Sequence, residues 1–464
     1  MITVQNRFFP LRTAACFFVE GGIIILSVIA SFLILSRMGD IAYIRLNEAV
    51  ARGIIIAIFC QSCMYMLDMY DLKNSQSWGE LFFSLVFAVG VVCIGVSIIS
   101  YVVPQFGIDG RMYYMTILFV AIFLFLWRFG FDYYIRWLAP REKILIVGSG
   151  DIARLVAGEI RKRDRFGFHL VGFVGHLEEG KPAGDMHGEI IGDYSSLKKV
   201  VREYNVRRLV VASNERRGEY PVKELLSVRT EGCKITEWPV FFEYLAGRIP
   251  IDNLTPSYFI FNEGFRKSES IMLLRKTIGI ILAGFFLLIL APVLILVAMF
   301  IKFDSSGPVL YSQDRVGQKG KHFRIYKFRS MRDNAEENGP PRWATKDDPR
   351  ITRVGRILRK LRVDEIPQLF NILRGDLSFV GPRPERPEFV EKLQNIYPYY
   401  SLRHTVKPGL TGWAQVSFMY SGTFEESKEK LQYDLFYIKN MSIKLDLWII
   451  FKTIKIVLLG RGAL

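Results

Sequence analysis

Apolar residues in this chain are gathered into blocks, and that clustering limits its folds more than any other feature. Residues 13–35, about 50–67, 80–103 and 112–131 each approach the ~20 apolar residues that a helix needs to cross a bilayer. Four such blocks in a chain that is 50% hydrophobic predict a membrane protein. The first block is too long for a signal-peptide core, has no small-x-small cleavage site, and is followed by three more, so it is expected to remain as an anchor. Glu20 inside it predicts a helix–helix hydrogen bond.

The expected fold class is membrane α plus α/β. Residues 1–140 form a four-helix transmembrane anchor, 141–250 a Rossmann-like module, 251–270 a linker, and 271–464 a C-terminal domain attached to the membrane. Four crossings return the chain to its starting side. Arg128, Arg136, Arg141 and Lys143 place that side in the cytoplasm, against the weaker opposing signal of Arg37, Arg45 and Arg52 in the first outer loop. The formal net charge of +16 does not point to nucleic acid, because the excess cations sit beside apolar blocks and in the C-terminal third; lipid headgroups and a phosphorylated substrate account for them. Cys16, Cys60, Cys63 and Cys93 fall in the predicted spans and Cys233 stands alone, which implies neither a disulfide framework nor a zinc site.

The module opens with Lys143-Ile-Leu-Ile-Val-Gly-Ser-Gly-Asp-Ile-Ala153, a buried strand followed by Gly-x-Gly-x-x-Ala. A nicotinamide site needs an acidic residue after the second strand; here Leu170–Val174 runs into Gly175 and His176. Tyr194 and Lys198 have the spacing of a dehydrogenase pair but come too soon after the glycines, so the spacing is read as chance. The module is expected to be structural or regulatory, with nucleotide binding as the alternative and no redox cofactor.

A fifth apolar block, about 277–302, is long enough to span, but Pro292 interrupts it and cations flank both ends: Arg275 and Lys276 before, Lys302 after. That pattern predicts a re-entrant helix whose two ends lie on one face. Between Tyr311 and Arg332 come seven Lys or Arg and one acid, Asp314, interleaved with Phe323, Ile325, Tyr326 and Phe328. Strands packed on a core would present these cations on one side as a diphosphate-binding surface. Farther on, Asp364 and Glu365 precede Pro367, which suits a first helical turn, and Gly375, which suits a helix end; a helix is expected from about Glu365 to Arg374. Ser442–Leu459 is apolar with Lys444, Lys452 and Lys455 spaced along it, as in a helix lying among headgroups or covering a core.

Together these stretches closely resemble the bacterial sugar transferases, the monotopic phosphoglycosyl transferases acting on polyprenyl phosphate. The resemblance covers residues 271–464. It rests on Gln313-Asp-Arg-Val-Gly317, Lys327-Phe-Arg-Ser-Met331, Asp347-Asp-Pro-Arg-Ile-Thr-Arg-Val-Gly-Arg356, the stretch from Asp364 through Arg383 to Pro384, and Lys407-Pro-Gly-Leu-Thr-Gly-Trp413. It implies a UDP-sugar donor, an undecaprenyl phosphate acceptor, UMP as leaving group, and a bacterial cytoplasmic (inner) membrane location with the site on the cytoplasmic face. It further implies Asp364 as covalent nucleophile and Glu365, with Asp364, as Mg2+ ligand. Phosphate contacts are assigned to Arg315, Lys327, Arg329, Arg362 and Arg383, and a homodimer is plausible. One departure is Ala291 before Pro292, where the family commonly has Ser-Pro; the hydroxyl that would satisfy a freed carbonyl is missing. The rival readings are a membrane-anchored NAD-dependent nucleotide-sugar dehydratase or epimerase, and a non-catalytic membrane scaffold.

Overall fold

The computed structural model describes residues 11–38, 45–70, 78–102, 110–134, 137, 140–162, 167–175, 189–212, 221–262, 264–265, 267–332, 348–418 and 423–460. Arg136, His176 and Asp347 lie outside the described residues. The chain divides into two compact units, Met1–Phe241 and Phe242–Leu464.

The first unit begins with four helices, α1 (Leu11–Arg37), α2 (Leu46–Met66), α3 (Trp78–Val102) and α4 (Gly110–Tyr133). Each contains a stretch long and apolar enough to cross a membrane. They share a core that includes Ile24, Val28, Met64, Leu85, Met112 and Leu124. Their outer faces are apolar too: Phe18 is 75% exposed and Phe83 71%. An apolar exterior of this kind is stable in lipid rather than water, as expected of a membrane-bound protein. Glu20 of α1 is fully buried and accepts from Tyr70 Oη at 2.6 Å and from Arg128 Nη2 of α4 at 2.9 Å. The helix–helix bond foreseen for Glu20 is thus made, and its partner carries the opposite charge, as a buried carboxylate requires.

The α/β part comprises β1 (Glu142–Val147), α5 (Asp151–Arg161), β2 (Phe168–Val174), β3 (Ile190–Gly192), α6 (Leu197–Glu203), β4 (Arg208–Val211), α7 (Val222–Thr230) and β5 (Lys234–Glu237). The strands form one parallel sheet in the order β3-β2-β1-β4-β5. Ile144–Val147 of the central strand are all fully buried, which explains a run without polar alternation. Lys198 pairs with Glu231 at 2.9 Å.

A further helix, α8 (Trp238–Ala246), runs across the division between the units. The second unit continues with α9 (Pro256–Phe261), α10 (Glu269–Asp304), β6 (Leu310–Val316), β7 (His322–Phe328), α11 (Arg353–Lys360), α12 (Gln368–Arg374), β8 (Ser378–Val380), α13 (Pro387–Ile396), β9 (Gly409–Thr411), α14 (Trp413–Ser417), α15 (Phe424–Asn440) and α16 (Ile443–Leu458). The stretch read as a linker is docked on α15: Asp252 pairs with Lys428 at 2.7 Å, and Lys439 Nζ donates to Tyr258 Oη at 2.5 Å.

Helix α10 is continuous through Pro292 and packs on the domain along both halves. Ala283 and Leu287 join a core with Ile325, Leu369, Ile372 and Leu377. Leu294, Val297, Ala298 and Ile301 join a second core with Phe328 and Leu358. Near its start, Arg275 bonds Asp446 at 2.5 Å and the Val380 carbonyl at 3.1 Å; at its end, Asp304 accepts from the Val354 amide at 3.1 Å. Helix α16 buries Leu445 and Ile449 while Leu447, Phe451, Ile454 and Leu458 form an exposed apolar stripe at helical spacing.

Candidate active site

Asp364 and Glu365 sit in a 3₁₀ turn, Val363–Glu365, ahead of α12. The expected helix from Glu365 is therefore shorter, starting at Gln368, and ends as predicted at Gly375, whose φ of 87° needs a residue without Cβ. The field around the carboxylates comes from side-chain cations instead of a long helix. Arg362, immediately before the turn, is left-handed at φ 56°, a conformation that costs a non-glycine residue about 1 kcal/mol or more.

The two carboxylates are treated differently. Glu365 Oε1 accepts from Arg383 Nη2 at 2.7 Å and Lys327 Nζ at 2.9 Å, while Oε2 lies 3.7 Å from Arg362. Burial opposes its ionisation, but Arg383, Lys327 and Arg362 together hold its carboxyl well below the usual carboxylate range. Among the described residues the Asp364 carboxylate has no hydrogen-bond or ion-pair partner, although it is only 7% exposed. Burial and the neighbouring Glu365 push it above the usual range, against the pull of Lys327, Arg359 and Arg362. Glu365 is thus tied through Oε1 by two cations, with only the longer approach of Arg362 at Oε2, while among the described residues the lone pairs of Asp364 are open.

The chain matches the family model for bacterial sugar transferases over residues 270–460. It is 33% identical over 424 residues to the undecaprenyl-phosphate glucose phosphotransferase of Komagataeibacter xylinus, an alignment covering 86% of this chain and 75% of that relative. It is 32% identical over 319 residues to the UDP-glucose:undecaprenyl-phosphate glucose-1-phosphate transferase of Escherichia coli K12, covering 68% and 67%. The chain belongs to the bacterial sugar transferase family. To the UDP-N-acetylgalactosamine-undecaprenyl-phosphate N-acetylgalactosaminephosphotransferase of Aeromonas hydrophila it is 41% identical over 236 residues, or 50% of this chain and 55% of that relative's length. The transferase is an enzyme of the phosphoglycosyl transferase type.

Of the residues singled out in the transferase sequence, Lys327, Arg362 and Arg383 converge on Glu365. Arg315 pairs with Glu385 at 3.7 Å and donates to the Pro384 carbonyl at 3.4 Å, holding the segment that carries Arg383. Arg329 is 5% exposed and donates at 2.7 Å to the carbonyls of Ser305 and Ser306, just past the end of α10. A cation there also complements the negative end of that helix. The basic hairpin does not present its cations on one side. Arg324 and Lys327 differ in strand parity; Arg324 is exposed and 3.6 Å from Asp314, whereas Lys327 turns inward to Glu365.

Sequence reasoning passed over two residues. Arg359 of α11 donates to Ser330 Oγ at 2.9 Å and acts electrostatically on Asp364; its place in the basic run Arg359-Lys-Leu-Arg362 just ahead of the acidic pair was the available signal. Asn371, fully buried, accepts from the Tyr326 amide at 3.1 Å and donates to the Arg324 carbonyl at 2.7 Å, so it fixes β7, and with it Lys327, against α12. An amide among apolar residues of the helix, with Gln368 one turn earlier, was its only trace.

Two adjoining carboxylates are hard oxygen donors of the kind Mg2+ takes, and the open lone pairs of Asp364 fit such an ion. Among the described residues no cluster of three or more His, Cys, Asp or Glu side chains is assembled, so phosphate oxygens would have to complete its coordination.

Proposed function

We propose that the transferase moves a sugar-1-phosphate from a UDP-sugar to undecaprenyl phosphate, with Asp364 as covalent nucleophile. The observation that carries this reading is the buried Asp364 carboxylate, without a partner among the described residues, beside a Glu365 already held by Arg383 and Lys327. A carboxylate oxygen of Asp364 attacks the phosphorus that bears the sugar. The new bond is Asp364 O–P, the bond broken is the P–O link of the diphosphate bridge, and UMP leaves with the bridging oxygen. A phosphate oxygen of undecaprenyl phosphate then attacks the same phosphorus, the Asp364 O–P bond breaks, and the carboxylate is regenerated. Lys327, Arg362 and Arg383 are placed to receive the diphosphate charge. Mg2+ held by Asp364 and Glu365 would supply charge neutralisation on the transferring phosphoryl group.

The same reading covers the membrane parts. Helices α1–α4 form a four-span anchor, and α10, which runs on as a helix through Pro292 instead of breaking there, dips into the bilayer with both ends on one face. What supports this is that both ends of α10 are tied to one domain, at Arg275 and at Asp304. A straight helix between them would be ~44 Å long at ~1.5 Å per residue, more than the ~30 Å of a hydrocarbon core. The apolar stripe of α16 lies in the headgroup plane. The active site then stays at the cytoplasmic surface, where a soluble donor meets a lipid acceptor that cannot leave the bilayer.

The test is UMP release from a panel of UDP-sugars with undecaprenyl phosphate and Mg2+. Wild-type protein releases UMP with at least one sugar, and Asp364→Asn loses release by more than ~10³-fold. Undiminished release in Asp364→Asn sinks the nucleophile assignment. For topology, cysteines placed at Ser270 and Ser306 react with a membrane-impermeant reagent from the same side; opposite sides exclude the re-entrant helix.

A further inference from the structure

The segment from Val380 to Glu385 carries Arg383 to Glu365, and it is secured through its carbonyls. Pro382 and Pro384 have no N–H, so beyond Gly381 the segment cannot continue the β8–β9 ladder and its carbonyls need donors from elsewhere. Val380 O accepts from Arg275 Nη2 and Tyr437 Oη, each at 3.1 Å. Pro382 O accepts from the Gly409 amide at 2.9 Å, and Glu385 O from the Val316 amide at 3.0 Å. Pro384 O accepts from Arg315 Nη1 at 3.4 Å. The carbonyl of Arg383 itself accepts from Arg403 Nη2 at 2.8 Å.

Arg403 is unlike a surface cation. It is 7% exposed, its Nη2 also donates to Asp434 Oδ2 at 2.9 Å, its Nη1 donates to Tyr400 Oη, and its guanidinium lies over the Tyr400 ring at 4.9 Å. Asp434 and Tyr400 are themselves buried, at 2% and 1% exposed. The guanidinium is therefore fixed on several sides, and what it presents to the active site is a hydrogen bond to the backbone of the residue that grips Glu365.

We propose that Arg403 is a positioning residue of the transfer reaction, acting through the Arg383 carbonyl to set the reach of the Arg383 guanidinium toward Glu365 and the donor diphosphate. Arg403 contacts neither carboxylate of the pair. A planar guanidinium meets a carbonyl, a carboxylate and a phenol at once, which a lysine ammonium on a flexible stem does not reproduce. The inference rests on the transferase reading and adds to it the residue that aims Arg383.

A double-mutant cycle on the full-length protein in lipid nanodiscs tests it, with UMP release as the rate and thermal unfolding as the control for folding. Arg403→Lys lowers kcat by about 10²-fold, the scale of a ~1 Å misplacement of a reacting contact. Arg383→Lys lowers it as well, and adding Arg403→Lys to that background costs less than about threefold further, because the group being aimed is already gone. Tyr400→Phe, which keeps Arg403 but removes the hydroxyl held by its Nη1, behaves in the same non-additive way and serves where Arg403→Lys does not fold. Losses that multiply, or an Arg403→Lys enzyme at the wild-type rate, overturn the proposal. Absence of UMP release from wild-type protein with every UDP-sugar is a separate result and strikes the transferase reading instead.

Discussion

Arg383 Nη2 lies 2.7 Å from Glu365 Oε1, and Lys327 Nζ approaches the same oxygen at 2.9 Å, so one carboxylate oxygen joins a proline-framed strap to a strand of the basic hairpin. Removing that oxygen's charge leaves two inward-facing cations uncompensated beside Asp364. Glu365→Gln is expected to cut the rate of UMP release by about 10²-fold or more while the protein still folds. A wild-type rate would show that the convergence on Glu365 has no part in catalysis.

The pair also predicts a bell-shaped pH profile for kcat/KM. Asp364 must be ionised to attack, and burial with the adjoining Glu365 raises its pKa above the ordinary 3.8, so the acid limb falls at a pH higher than an ordinary aspartate would give. Burial lowers the pKa of Lys327 below the ordinary 10.5, against the pull of Glu365, so its charge is lost on the alkaline side earlier than for a solvated lysine. Glu365→Gln removes one of the two influences raising Asp364 and shifts the acid limb to lower pH. A limb that stays in place, measured on residual activity, refutes the coupling.

Arg362 separates backbone strain from charge. Its φ of 56° suits glycine, and its ion pair with Glu365 is long, at 3.7 Å, and part-exposed. Arg362→Gly is expected to keep or raise thermal stability, by up to about 1 kcal/mol, while weakening UDP-sugar binding. A lowered melting temperature with unchanged affinity is the contrary outcome.

Arg329 is bound to the carbonyls beyond α10, so Arg329→Lys is expected to cost about 2–3 kcal/mol of stability, as lost charged hydrogen bonds in a buried place do. The KM for the UDP-sugar stays within about twofold of wild type. A large rise in KM without loss of stability would instead make Arg329 a substrate contact.

Gly409 approaches the strap so closely that a Cβ there would lie 2.1 Å from the Gly381 amide nitrogen. Gly409→Ala must therefore push β9 and the strap apart, at about 3 kcal/mol, and should lower both the melting temperature and kcat. Normal activity in this variant would show that the close fit of strap and β9 is not needed to place Arg383.

Much of this was legible in the chain because it depends on local pattern. Block length marked the apolar helices, a run of Ile-Leu-Ile-Val marked the central strand of the parallel sheet, and Gly375 marked where α12 stops. The pairing of Arg383, Lys327 and Arg362 with Glu365 was half legible: the residue types suited phosphate, but that all three gather on one carboxylate depends on contacts across up to 38 residues. Arg329 and Arg324 looked like further members of the same basic surface, and strand parity together with the end of α10 sent them elsewhere.

By itself the sequence determined the membrane character, the parallel α/β module, the fold family and the acidic pair, because hydropathy, strand runs and motif spacing are properties of neighbouring residues. Only the tertiary structure decided that Glu365 is gripped by cations while, among the described residues, Asp364 is left open, that Arg329 caps a helix, and that Arg403 holds the backbone of Arg383. Those outcomes depend on which buried donors and acceptors finish next to one another. In a low-dielectric interior each must find a partner, and packing of distant segments settles which one it finds.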